Sequence, residues 1–121
     1  MMPATSVLDE SRVVVAAGPD RAGEKIFEFD RCFGEESTQV EVFKEVEGLV
    51  VSALDGYHSC IFAYGQTGSG KTFTMQGSLS NPGIYFRTLD ALFKEAERRQ
   101  SGIQYTFKVR HQYLTPPCFL C

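Results

Sequence analysis

The sequence predicts an α/β fold in which a mixed sheet is flanked by helices. Two observations lead there. Cys60-Ile61-Phe62-Ala63-Tyr64 is an apolar run with no polar alternation, the pattern of a strand buried on both faces, as in the sheets of α/β proteins. Helical signals lie on either side of that run, with a glycine-rich turn between it and the second of them, so strand and helix alternate along the chain.

Taken in order, Met1 to Glu10 reads as a loose terminus. Val13, Val14 and Val15 form a β-branched run stopped by Gly18 and Pro19, which is either an edge strand or no element at all. Lys25 to Phe29 suits a short strand ending before Gly34. Thr38 with Glu41 three residues later is a capping box, and Val42, Phe43, Val46, Leu49, Val50, Ala53 and Leu54 follow at helical spacing. A helix is therefore expected from about Gln39 to Leu54, ended by Asp55 and Gly56. The buried strand at 60–64 follows, then a helix opening near Lys71 and fading by Gly77, then a Gly/Ser/Asn/Pro loop to Gly83. Leu89, Leu92, Phe93 and Ala96 mark the apolar side of another helix, with Lys94, Glu95, Glu97, Arg98 and Arg99 on its wet side. From Ile103 to Val109 the period becomes two, as in a strand with one polar face, and Pro116 and Pro117 close the pattern.

Composition narrows the function classes. The chain has 121 residues, 43% hydrophobic and 22% charged, with a formal net charge of -3; one domain is the ceiling at this size. A mildly acidic chain without a Lys/Arg cluster is a poor partner for nucleic acid. No apolar run reaches the roughly 18 residues of a membrane span and no signal-peptide pattern opens the chain, so neither a membrane partner nor secretion is expected, and cytoplasm is the default. Cys32, Cys60, Cys118 and Cys121 are too scattered for a disulfide framework, and Cys60 reads as a small buried thiol. Cys118 and Cys121 form a lone CxxC, and a zinc site would need a second Cys/His pair. His58 and His111 have no partner at catalytic spacing and take a structural reading.

One motif carries chemistry. Gly65-Gln66-Thr67-Gly68-Ser69-Gly70-Lys71-Thr72 fits the phosphate-loop pattern GxxxxGK[ST], placed between the buried strand and a helix. Glycines let the loop turn its N–H groups inward around phosphate oxygens. Lys71 supplies a point charge for the β- and γ-phosphates, and the Thr72 hydroxyl a ligand for Mg²⁺. The alternative, a glycine-rich turn that fits by chance, is disfavoured by the strand and helix on either side.

At this loop the sequence resembles a known family. Ile61 to Met75, IFAYGQTGSGKTFTM, is similar to the phosphate-loop signature of the kinesin motor domain. Phe27 to Phe33 resembles the family's F-x-F-D-x-V-F, Gln39 to Phe43 its Q-x-x-V-F, and Leu54 to Tyr57 its L-D-G-Y-N. Gly83 to Arg87 resembles its G-I-I-P-R, with Tyr85 and Phe86 in place of Ile and Pro. The Ser52-Ala53-Leu54 and Cys60 surroundings look most like the C-terminal-motor branch. The resemblance implies a phosphate-loop NTPase-type sheet, ATP and Mg²⁺ as ligands, microtubules (tubulin) as partner of the parent protein, and a cytoskeletal location. By position it implies that Gly65, Gln66, Thr67, Gly68, Ser69, Gly70, Lys71 and Thr72 hold the phosphates. Phe73 becomes a candidate for stacking on adenine, the alternative being an ordinary core aromatic.

The organisation expected from the resemblance is a weakly patterned segment at 1–24, a partial motor domain at 25–110 and a divergent tail at 111–121. The chain contains no match to the family's N-x-x-S-S-R-S-H switch I or D-L-A-G-S-E switch II, nor to its N-terminal R-x-R-P strand. Hydrolysis needs a group that orients water and one that senses the γ-phosphate, so catalysis by this chain is an open question and no catalytic residue is assigned. Two functions are expected in consequence: the N-terminal part of an ATP-driven microtubule motor, or a truncated, non-catalytic fragment or interaction module. The departure after Arg110 predicts a truncated gene model, an alternative transcript or read-through past an exon boundary. Arg98 and Arg99 read as a solvated helix face.

Overall fold

The computed structural model describes residues 5–16, 23–99 and 102–108. The elements run β1 (Thr5–Val7), β2 (Arg12–Ala16), β3 (Glu24–Glu28), α1 (Gln39–Leu54), α2 (Lys71–Met75) and α3 (Ile84–Arg98). The α/β class is what the sequence predicts.

The three strands form one antiparallel sheet in the order β1-β2-β3, with Val7 opposite Val13 and Val13 opposite Phe27. Asp9 makes the first turn. Its Oδ1 accepts the backbone N–H groups of Ser11 at 3.0 Å and Arg12 at 2.9 Å, an Asx turn in which a short carboxylate replaces a backbone acceptor. Hydrogen bonding from the Arg12 side chain lowers the Asp9 carboxyl to about 2. Thus the expected loose terminus at Met1–Glu10 contains an edge strand at Thr5–Val7, too short and polar to show a period. The Val13–Val15 run is a strand at the centre of the sheet, and β3 lies one residue earlier than Lys25–Phe29. Gly18 and Pro19 lie outside the described residues.

α1 has the bounds expected. Thr38 and Glu41 form the reciprocal capping box, with the Thr38 N–H 2.7 Å from Glu41 Oε2 and the Glu41 N–H 3.3 Å from Thr38 Oγ1. The bond from the Thr38 N–H to the carboxylate, and a second from the Thr38 hydroxyl at 3.0 Å, also lower the Glu41 pKa. Gln39, Phe43 and Val50 are buried, one stripe at helical spacing, and α1 packs on α3.

α3 opens at Ile84, earlier than the marker residues suggest, because Gly83 starts it. The Gly83 N–H donates to the Gln76 carbonyl at 2.9 Å, and Arg87 Nε donates to the Pro82 carbonyl at 2.8 Å. Its wet side also needs correction. Arg99 lies 2.5 Å from Asp55 at the end of α1 and 2.7 Å from Glu95, and Glu95 is itself only 19% exposed. Arg99 is therefore a tie between α3 and α1, whereas Arg98 stays on the surface beside Glu95.

Two expected strands are absent. Residues 60–64 form no strand, Cys60 is an exposed thiol, and Phe62 and Tyr64 are 86% and 102% exposed. A strand buried on both faces needs a neighbour for its N–H and C=O groups, and among the described residues no strand pairs with it. Residues 103–108 are likewise unpaired, yet the period of two survives in their burial: Tyr105 and Phe107 are half-buried between exposed neighbours. The Phe107 ring meets Phe93 of α3 edge-on at 4.9 Å. Val109, Arg110, the tail at 111–121 with His111, and Cys118 and Cys121 lie outside the described residues.

Candidate functional site

The glycine-rich loop joins the unpaired 60–64 segment to α2. Gly68 and Gly70 have φ of 82° and 91°, a region closed to most side chains, and Gly70 is the residue from which α2 starts. A Cβ on Gly65 would run into the Ser69 hydroxyl. The Ser69 N–H donates to the Gln66 carbonyl at 3.2 Å, closing the turn.

Lys71 folds its ammonium back over this turn, donating to the Gln66 carbonyl at 2.7 Å. Among the described residues it forms no ion pair. An ammonium has three donors, so a cation held on one neutral carbonyl retains capacity for an anion at the loop. Thr72 is exposed beside it, and α2 begins with no side-chain cap on its first N–H groups. This arrangement fits a phosphate group: an uncompensated cation, N–H groups without side-chain partners, and glycines where side chains would intrude.

A metal is a different matter. No cluster of three or more His, Cys, Asp or Glu side chains that could hold one exists among the described residues. Mg²⁺ in phosphate sites is held by one or two protein oxygens together with the phosphates themselves, and a lone Thr72 hydroxyl is compatible with that. Phe73 is 57% exposed, so it is not the core aromatic that was the alternative to adenine stacking.

α2 buries none of its own side chains. What holds it is a set of backbone ties, one of which comes from α1: Gln39 Nε2 donates to the Phe73 carbonyl at 2.7 Å. Gln39 is absent from the sequence-derived site. Its signal was available, since 39, 43, 46 and 50 share a helical face and only Gln39 on that face is polar.

A protein-family model, the kinesin motor domain, matches residues 4–115. The chain belongs to the kinesin motor domain family. It is 50% identical over 88 residues to the kinesin-like protein KIN-14E of Oryza sativa subsp. japonica, covering 73% of this chain and 8% of that protein. It is 45% identical over 107 residues to KIN-14B of the same organism, covering 88% and 13%, and 51% identical over 85 residues to KIN-14R of Arabidopsis thaliana, covering 70% and 8%. A crystal structure from a study of mutants of the kinesin motor ATPase matches with a TM-score of 0.66 at 46% identity, covering 72% of this chain and 27% of the other. This kinesin-family chain thus spans about a tenth of the length of its curated relatives and about a quarter of a solved motor structure. The family is one of nucleotide-binding, cytoskeleton-associated microtubule motors. No helix among the described residues is long and apolar enough to cross a membrane.

Proposed function

We propose that this chain is the nucleotide-binding N-terminal part of a kinesin-like motor domain and holds MgATP at Gly65–Thr72. The observation that carries the reading is the Lys71 ammonium, held on a loop carbonyl and without a carboxylate partner among the described residues. Gly65, Gln66, Thr67, Gly68, Ser69 and Gly70 form the turn around the phosphates, the Ser69 N–H closing it on the Gln66 carbonyl; Lys71 neutralises their charge, and the Thr72 hydroxyl would hold the metal. Bound Mg²⁺ supplies charge neutralisation on the β- and γ-phosphate oxygens. Phe73 offers an exposed ring for the base. The organisation proposed is a motor-domain part at 25–110, preceded by residues 1–24 and followed by a divergent tail at 111–121.

Movement along microtubules, and a location on them in the cytoplasm, are proposed for the parent protein. For the 121 residues themselves the proposal is nucleotide binding with weak or no turnover, because no sequence in them resembles either switch. Titration of the chain with a fluorescent ATP analogue and Mg²⁺ tests this. Saturable binding lost in Lys71→Ala supports it; binding indifferent to Lys71→Ala refutes the site, and microtubule-stimulated hydrolysis by the chain refutes the non-catalytic part.

A further inference from the structure

We infer that Gln39 is a positioning residue for the phosphate loop: it caps α2 from the first turn of α1 and so sets where Lys71 and Thr72 stand. The inference deepens the nucleotide-binding reading above and rests on it.

α2 is five residues long and has no fully buried side chain, only Lys71, Thr74 and Met75 being half-buried on it, so its packed face is small. Its last carbonyls must find partners outside the regular helical pattern. The Thr72 carbonyl still takes the Gln76 N–H at 2.8 Å in the regular pattern, but the Gln76 carbonyl takes the Gly83 N–H at 2.9 Å. In a continuing helix the Phe73 carbonyl would take the N–H of residue 77, but Gly77 has φ of 71° and leaves the helical path. Gln39 Nε2 fills that position at 2.7 Å, across 34 residues of sequence.

Gln39 itself is 5% exposed. A buried amide is costly unless paired, and this one sits at the head of the stripe continued by Phe43 and Val50, which anchors α1. The bond therefore fastens α2 to α1, which is itself packed on α3. Phe73 follows Thr72 directly, so a shift of the Phe73 carbonyl moves the hydroxyl and the ammonium together.

Gln39→Met keeps the length of the side chain and removes the donor. In the full chain, the Thr74 and Gln76 amides, which donate to the Gly70 and Thr72 carbonyls, are expected to exchange with solvent about tenfold faster, while the Val46 and Val50 amides within α1 are unchanged. Affinity for the fluorescent ATP analogue with Mg²⁺ falls about tenfold in parallel. Gln39→His retains an N–H at similar reach and restores both, whereas Gln39→Asn is one methylene too short and behaves like the Met variant. Unchanged exchange in α2, or acceleration shared equally by α1 and α2, overturns the inference. If Gln39→Met does not fold, the contrast between the Asn and His variants decides in the same way. If the wild-type chain shows no Lys71-dependent binding, the nucleotide reading falls, and the exchange rates still decide whether Gln39 places α2.

Discussion

Two glycine-to-alanine substitutions should act in opposite directions, and the contrast tests the packing at the end of the phosphate-loop helix. A Cβ on Gly83 would lie 2.5 Å from the Thr74 carbonyl oxygen and 2.8 Å from both the Gly77 nitrogen and the Met75 carbonyl carbon. All three are backbone atoms and cannot rotate aside, so the segments must part by roughly 0.6–0.9 Å to reach ordinary contact. Overpacking of this kind costs about 1–3 kcal/mol, and weakening the bond from the Gly83 N–H to the Gln76 carbonyl adds about 1 kcal/mol, so a loss near ~3 kcal/mol is expected. Gly48, inside α1, has nothing within 4 Å of its Cβ position; alanine there should gain about 0.5–1 kcal/mol from helix propensity and lower unfolded-state entropy. At roughly 4 °C per kcal/mol for a chain of this size, thermal melts followed by far-ultraviolet circular dichroism should place Gly83→Ala about 12 °C below the wild type and Gly48→Ala roughly 2–4 °C above it. Unfolded-state entropy alone would stabilise both, so a Gly83→Ala midpoint at or above that of the wild type would refute the close approach of α2 and α3.

Acid should weaken the ion pairs at the C-terminal end of α3, where Glu95 holds Arg98 and Arg99. Hydrogen bonds from Arg98 and then Arg99 lower the Glu95 carboxyl from 4.5 to about 2, so its contribution is complete above the ordinary value and is lost as pH falls from about 4.5 through 2. Glu95→Gln should flatten the stability profile in that window, and identical acid slopes in the two proteins would contradict the assignment. Thiol labelling read by peptide mass should modify the exposed Cys60 before the half-buried Cys32; protection of Cys60 would mean that the 60–64 segment is covered after all. If Phe73 stacks on the base, Phe73→Ala should weaken ATP binding about tenfold and leave inorganic tripolyphosphate binding unchanged, whereas an equal loss for both ligands would remove it from the base site.

The parts legible from the sequence are those whose physics is local. The Thr38–Glu41 capping box spans four residues, and it places the start of α1 before any tertiary contact is known. The phosphate loop is contiguous, and its glycines and Lys71 carry their chemistry in their order. Strand 60–64 failed for the opposite reason. Its apolar composition describes an environment with neighbours on both faces, and no described residue supplies one. Arg99 was misread because its partner Asp55 lies far away in sequence, while its immediate neighbours give only the usual solvated-face pattern.

The sequence by itself therefore determined the family signature, the glycine-rich loop proposed to hold phosphate, and the bounds of α1, since caps, turns and glycine-dependent dihedrals are settled within a few residues. Only the tertiary structure decided that the Val13–Val15 run is the middle of a sheet, that Gly83 must lack a side chain, and that Gln39 closes the Phe73 carbonyl. Each of these depends on a contact between separate segments, Val13–Val15 with β1 and β3, Gly83 with α2 and Gln39 with the Phe73 carbonyl, and the energy of that pairing is written in no single stretch of residues.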